Sequence, residues 1–505
     1  MRRSNTRAVA VLVALVMVAA ACGKDREESA ETTTAPSVAE TTIAAPVDTV
    51  VDTIDGSTES TAGDSGSDTT VEVTTPATEP APDVPSFGDA PWPCSGGDGA
   101  NTDTGSEPGV TAESIRIATG DDAGYAGSPG LNHEMTDAMN AFVASCNALG
   151  GINGRQIELD YYDAKLFDVG PAIQGACDAG TFFLVGQGWA FDVNQEETRL
   201  GCGLPAVPTY SVSAAFAHGK DVFVGVPNPS DETTAGWFAQ VAELFPDEVT
   251  AVGTLAAGFA ATQESRDKVV AVSPQFGWSF ASSTIEYNAA GESDWTPFVK
   301  QLQNAGAKLV YWTGTCLPGL QLFAQAAIAN GYDVPIITDA NHYSRQCADA
   351  NTDGSLDNLY VRVASIPFEE ASLNPATQQY LDLLSESGGD VALLGTQTAS
   401  SFLLWATAAS ACGAELTRAC TLENLANVHQ WTGHGLHAET DPGGNHPAKC
   451  NIMLRLVGTT YERVIPTEPG TYQCDDSWVA DVGDTPAVVA ALLDENRISQ
   501  QFAGG

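Results

Sequence analysis

Basic residues are scarce in this chain. Its 21 lysines and arginines stand against 64 aspartates and glutamates, a formal charge of −43 over 505 residues. So acidic a surface repels phosphates and anionic lipid head groups, which excludes nucleic acid as a partner and promises high solubility. Catalytic signatures are missing too: there is no Walker A, no G-x-S-x-G elbow and no H-E-x-x-H. No two cysteines have the C-x-x-C spacing of a redox or zinc pair. Asp121 and Asp122 are adjacent in a loop, an arrangement that does not set two carboxylates across a substrate. These absences point away from an enzyme and call for no cofactor or metal. Aromatic residues are absent from Asp25 until Phe87 and Trp92. A Thr-, Ser-, Pro- and carboxylate-rich segment of this kind cannot bury enough apolar area to offset chain entropy, so 22–109 reads as a tether, with order beginning around Pro91-Trp92-Pro93-Cys94.

The N-terminus carries Arg2, Arg3 and Arg7 ahead of an apolar run, Ala8 to Ala21, too short to span a membrane. It ends in Val18-Ala-Ala-Ala21-Cys22-Gly23, which resembles a bacterial lipobox with Ala19 where leucine is usual. Residues 1–21 are thus expected to be a signal peptide. Cys22 is expected to carry a lipid that moors the protein to the outer face of the cell membrane, with plain cleavage after an Ala-x-Ala site as the alternative. Setting Cys22 aside leaves ten of the 11 cysteines, enough for five disulfides in an oxidising compartment. The sequence leaves their connectivity open. Nearest-neighbour pairing gives Cys94–Cys146, Cys177–Cys202, Cys316–Cys347, Cys412–Cys420 and Cys450–Cys474.

The most ordered stretch runs from Leu131 to Asp163. Met135, Met139, Phe142, Cys146 and Leu149 recur at alternating four- and three-residue steps, which places them on one helical face. Gly150-Gly151 supplies a left-handed stop, and Asn153-Gly154 a turn into an extended run, 156–161, parallel to 114–118. Strand and helix then alternate. Helices are expected at 131–149, 171–179, 193–200, 233–245, 261–272, 295–304, 318–330, 375–385, 396–411 and 421–428. Strands are expected at 182–186, 205–209, 222–226, 249–255, 279–287, 309–313, 335–338 and 359–364, with an antiparallel pair 435–440 and 452–457. The chain is too long for one core, so two lobes are expected.

A helix closing in Asn147-Ala-Leu-Gly-Gly-Ile-Asn-Gly-Arg155, followed by a strand and Asp163, resembles the branched-chain amino-acid (Leu/Ile/Val) type of periplasmic binding protein, over roughly 114–465. The resemblance implies a type I α/β fold of two hinged lobes, each a parallel-rich sheet flanked by helices. It implies three crossings, with 110–231 and 367–433 in lobe I, 232–366 and a 434–465 hairpin in lobe II, and 466–505 as a tail. It also supports Cys177–Cys202, since the family often ties those two elements.

In parallel α/β sheets ligands sit off the carboxyl ends of strands. The loops there offer Asp121, Tyr125, Gln187, Trp189, Ala190, Tyr210, Ser211, Ser213, Phe259, Thr313, Thr315, Asn341 and His342 as ligand-binding candidates, a mixture suited to a small polar molecule with an apolar part. Relatives that take α-amino acids usually place hydroxyls after the third strand and an acid late in lobe II. Here the first loop reads Gln187-Gly-Trp-Ala190 and the second Asp339-Ala-Asn-His342, so an amide, a urea-like compound, an aromatic acid or another small metabolite is equally open. His429, His434, His437, His446 and Cys450 fit no zinc spacing and read as hairpin residues. Asp349, Asn351, Asp353, Gly354 and Asp357 match calcium-loop positions, but Tyr360 stands where a bidentate glutamate is needed, leaving a solvated acidic turn. The expected protein is a monomeric, lipid-anchored solute receptor that delivers a small-molecule ligand to an ABC importer permease by hinge closure. A sensor of the same fold, signalling to a membrane partner, is the alternative; a metal-dependent hydrolase is the reading from another class.

Overall fold

The periodic stretch folds as its spacing predicts. A computed structural model describes residues 85–483 apart from 98, 103, 104 and 106; the signal segment, Cys22, most of the tether and the last 22 positions of the tail (484–505) lie outside the described residues. The helix Glu134–Ala148 buries Met135, Met139, Phe142 and Cys146. Gly150 and Gly151 end it at φ +106 and +79, and a Cβ on Gly151 would run into the Arg155 carbonyl. Arg155 closes the turn from a buried position. Its guanidinium donates to the carbonyls of Ala414, Thr111, Thr102 and Gly413 at 2.7, 2.8, 3.3 and 3.4 Å.

Two sheets follow. In the first lobe Gln156–Asp163, Ser114–Asp121, Phe183–Val185 and Ala206–Val207 lie side by side, all parallel. Helix Glu134–Ala148 covers one face together with Leu393–Ser410, and Val169–Asp178 belongs to the core on the other. Leu393–Ser410 also packs on Arg418–Ala426, which explains why it is apolar or small on nearly every side. In the second lobe Phe280–Tyr287, Val252–Ala257, Leu309–Thr313, Ile336–Thr338 and Leu359–Val363 are parallel. Cys450–Val457 and Thr460–Ile465 extend that sheet antiparallel. The chain enters the second lobe ahead of Gly236–Leu244, returns to give the first lobe its helices Pro375–Ser387, Leu393–Ser410 and Arg418–Ala426, and crosses again to reach Cys450–Val457.

The structure departs from the sequence reading at both ends and in the hairpin. Order begins a few residues earlier than expected: Phe87, placed in the tether, is fully buried with its ring centroid 5.2 Å from Phe142, while the expected start at Pro91–Cys94 is packed and Cys94 is bonded to Cys146. The partner of Cys450–Val457 is Thr460–Ile465, not 435–440. Around 435–440 the chain makes only single bridges, Ser365 with His437 and Trp431 with Thr440. Likewise 222–226 is no strand; Val222 makes one bridge to Ala206. The segment expected to be a free tail pairs twice, Gln473–Cys474 with the start of Cys450–Val457 and Val479–Asp481 with Glu232–Thr234. All five disulfides join nearest neighbours: Cys94–Cys146, Cys177–Cys202, Cys316–Cys347, Cys412–Cys420 and Cys450–Cys474.

Candidate ligand-binding site

Between the lobes lies a cleft of about 590 Å³, a volume ordinary for small-molecule sites. The first lobe contributes Asn132, Glu134, Ala190, Tyr210, Ser211 and Gln397; the second contributes Phe259, Thr313, Thr315, Asp339, Asn341 and Arg362. Leu131, Val391, Leu393 and Leu394 supply apolar wall. Close backbone approach shapes one side: a Cβ on Gly188 would stand 2.5 Å from the Tyr210 ring. Tyr210 in turn accepts a hydrogen bond from the Asn132 amide at 3.2 Å.

Of the residues singled out in the sequence, Ala190, Tyr210, Ser211, Phe259, Thr313, Thr315 and Asn341 line this cleft. The others do not, each for a visible reason. Asp121 is buried and accepts hydrogen bonds from Tyr161 (2.6 Å) and Thr136 (2.5 Å), with the His133 ring at 2.9 Å, so it ties the sheet to the first helix. Trp189 is fully buried, its indole N–H donating to the Asp121 carbonyl at 3.1 Å. Gln187 is buried, with neither amide atom paired. Ser213 caps the short helix Ala214–Ala217 by accepting from the Phe216 N–H. His342 is buried against the Thr338 hydroxyl at 2.5 Å, and burial pushes its imidazole down to about 4. Tyr125 reaches across the lobes to the Ala289 carbonyl at 3.3 Å.

Two other acids hold the loops that form the first wall. Asp122 accepts from the Ala190 N–H at 2.8 Å and from Leu166 N–H at 2.9 Å; burial pushes its carboxyl up to about 6. Asp192 accepts from Val212 N–H at 2.7 Å and Ser213 N–H at 3.1 Å, and burial pushes it up to about 7. In the second wall Asp339 takes the Tyr311 hydroxyl at 2.7 Å and two Arg362 bonds at 3.0 and 3.1 Å. Arg362 also lies 5.4 Å from the Trp237 ring centroid, a cation–π distance. Glu134, Arg362, Leu393 and Gln397 escaped the sequence reading because none follows a strand end. A lone cation inside Leu-Tyr-Val-Arg-Val was the one available signal for Arg362.

Ser400 and His437 have the contact of a nucleophile and its base, Oγ to Nε2 at 2.7 Å, and His437 borders the cleft. Ser400 is fully buried, however, and its oxygen also accepts the Trp431 indole N–H at 2.9 Å. With His437 Nδ1 facing the Ala438 carbonyl at 2.8 Å and burial pushing the ring down to about 4, this is a neutral structural network at a crossing of the chain. Elsewhere in the 429–450 region His429 faces Asp441, His446 faces Glu232 and Cys450 is in its disulfide, while His434 is buried against the Trp431 ring with its Nδ1 unpaired among the described residues. The 349–357 turn is stitched to itself, Asp353 accepting from Ser355 N–H and Asp357 from the Asn351 amide.

Across the cleft the lobes touch at a few points. Ser128 donates to the Leu317 carbonyl at 3.2 Å, and the Phe191 and Phe259 rings meet at 5.5 Å. At another place the contact is backbone: Arg345 N–H to Val391 carbonyl at 3.0 Å and Leu393 N–H to Tyr343 carbonyl at 2.9 Å. An aromatic pair contributes about 0.5–1.5 kcal/mol beyond its buried area. Phe191→Ala should therefore shift the ligand-free lobes toward separation by roughly fivefold, read as a larger radius of gyration in solution scattering. Unchanged scattering would remove the ring pair from any part in closure.

The chain matches the family model described as periplasmic binding protein over residues 119–460, more than half its length. No curated protein matches it. Among solved structures it is similar to the leucine-, isoleucine-, valine-, threonine- and alanine-binding protein of Brucella ovis in its closed conformation, at 15% identity over 73% of this chain and 97% of that one, TM-score 0.59. It is similar to a solute-binding protein of an ABC transporter from R. palustris in complex with 4-hydroxybenzoate, at 14% identity over 72% and 98%, TM-score 0.59. A fatty acid ABC transporter substrate-binding protein from Thermomonospora curvata aligns at 14% identity over 74% and 95%, TM-score 0.56. Sheet order, helix layers and family match agree: this chain belongs to the periplasmic binding protein family.

Proposed function

We propose that the protein captures a small solute in the cleft between its lobes, outside the cytoplasm, and presents the closed form to an ABC importer. Cys22 serves as its lipid anchor, and the cleft performs no catalysis. The observation that carries this reading is the composition of the cleft. Its walls come from both sheets, so a solute touching Tyr210 and Ser211 on one side and Thr313 and Arg362 on the other gains its full contacts only when the lobes are together. Hinge closure then follows from differential contact. The two-sided wall favours it over a hydrolase, whose groups would have to be free to react.

Thermal-shift screening against amino acids, amides, polyamines and aromatic acids tests the proposal. A binder present at a hundred times its dissociation constant stabilises by roughly 2.7 kcal/mol, and the same compound should shrink the radius of gyration. If no compound of any class raises the melting temperature or alters scattering, the reading fails.

A further inference from the structure

Resting on that reading, we infer that the solute is an organic cation: an ammonium or amidinium group on an aliphatic body, held by Glu134. This residue opens the helix Glu134–Ala148 and is one of those that line the cleft. Among the described residues it forms no ion pair and no side-chain hydrogen bond to another residue; only its own backbone amide faces it. The arginine among the lining residues and the histidine beside Glu134 both face other carboxylates. His133 serves Asp121 at 2.9 Å and Asp137 at 4.0 Å. Arg362 is taken by Asp339. Asp390, the remaining carboxylate of the lining, adds to the same sign.

The cleft thus offers a half-buried carboxylate with no cation paired to it, in a lining that also holds Leu131, Val391, Leu393 and Leu394, with Tyr210 close enough to feel its charge. A carboxylate so placed is costly unless a positive charge meets it. An anionic solute would meet repulsion from Glu134 and Asp390, and would find only a guanidinium already shared with Asp339. An amine or amidine supplies the missing partner through charge-assisted hydrogen bonds, and the Tyr210 ring favours a cation as well.

The same surroundings predict how binding depends on pH. Burial, then the charges of Asp121, Asp390 and Asp137, push the Glu134 carboxyl up to about 7. Tyr210 and Tyr380, the other titratable groups facing it, carry hydroxyls raised above their ordinary range, so they stay neutral at physiological pH. A cation binds the ionised carboxylate in place of its proton. Affinity should therefore be full above pH 7 and fall by about tenfold for each pH unit below it.

The test is a thermal-shift series on the full mature chain at pH 6 and pH 8. The probes are isoamylamine, putrescine and isobutyramidine, set against isobutyramide (neutral), isovalerate (anionic) and leucine (zwitterionic). An amine or amidine should stabilise the protein, more strongly at pH 8. Glu134→Gln should keep or raise the ligand-free melting temperature, weaken the cation at least tenfold and abolish the pH difference. Should that variant not fold, Glu134→Asp replaces it and should bind more weakly with the pH difference preserved. Equal binding by parent and variant overturns the inference. A shift with the amide, the acid or leucine but with no amine or amidine also overturns it, while leaving solute capture intact. A flat response to every probe removes the inference, and a flat response across the wider panel removes solute capture too.

Discussion

Trp189→Ala should lower the stability of the ligand-free protein by about 3–5 kcal/mol, the usual cost of truncating a buried tryptophan. The residue follows a strand end and looks like a cleft aromatic in the sequence, yet its ring is fully buried in the core on one face of the first sheet. There it lies so close over the backbone that a Cβ on Gly120 would stand 2.6 Å from it. Its indole N–H holds the Asp121 carbonyl, and the Asp121 side chain holds the first helix through Thr136. Removing the ring thus opens a cavity and orphans a buried acceptor at once. The measurement is the midpoint of denaturant unfolding at unchanged m-value. A variant that unfolds at the parental midpoint but no longer responds to a bound solute would return Trp189 to the cleft.

Arg155→Ala should cost about 3 kcal/mol or more. The guanidinium is a hub for four carbonyls: Thr111 in the turn before Ser114–Asp121, Thr102 further upstream, and Gly413 and Ala414 in the loop after Leu393–Ser410. Hydrogen bonds from a charged donor contribute about 1.5–3 kcal/mol each, less than additively, and truncation leaves buried acceptors without their partner. Arg155→Lys is the sharper comparison. A lysine keeps the charge but has one point donor in place of the planar fork, so it should recover only part of the loss. Full recovery by lysine would show that charge alone matters there.

Much of the fold was legible because its signals are local. The four- and three-residue spacing in the first helix, the double-glycine stop and the alternation of strand with helix all act within a few residues. The disulfides paired as nearest neighbours because consecutive elements of an α/β layer lie side by side. The hairpin was misplaced where alternation and turn length pointed to different partners. The run 435–440 alternates apolar with polar residues while Thr460-Tyr-Glu-Arg-Val-Ile465 does not, yet Val457 and Thr460 face each other across Gly458-Thr459, a tight link of the kind that favours antiparallel return. The rule that sites follow strand ends reached Tyr210, Ser211, Thr313 and Thr315, which line the cleft. It could not tell Trp189 from Ala190, because which of two adjacent loop residues turns inward is set by Asp122 gripping the Ala190 amide, a contact 68 residues apart. Nor could it find Glu134 or Arg362, whose access to the cleft depends on how the two sheets face each other.

The packing of residues 85–94 fixes which lobe is joined to the chain's N-terminal side. Phe87, Trp92 and Cys94 are all fastened to the first lobe, the cysteine covalently. Any pull arriving along the chain from its N-terminal side is borne by that lobe and goes no further. Were the lobes to hinge as proposed, the second lobe would swing as an unloaded arm.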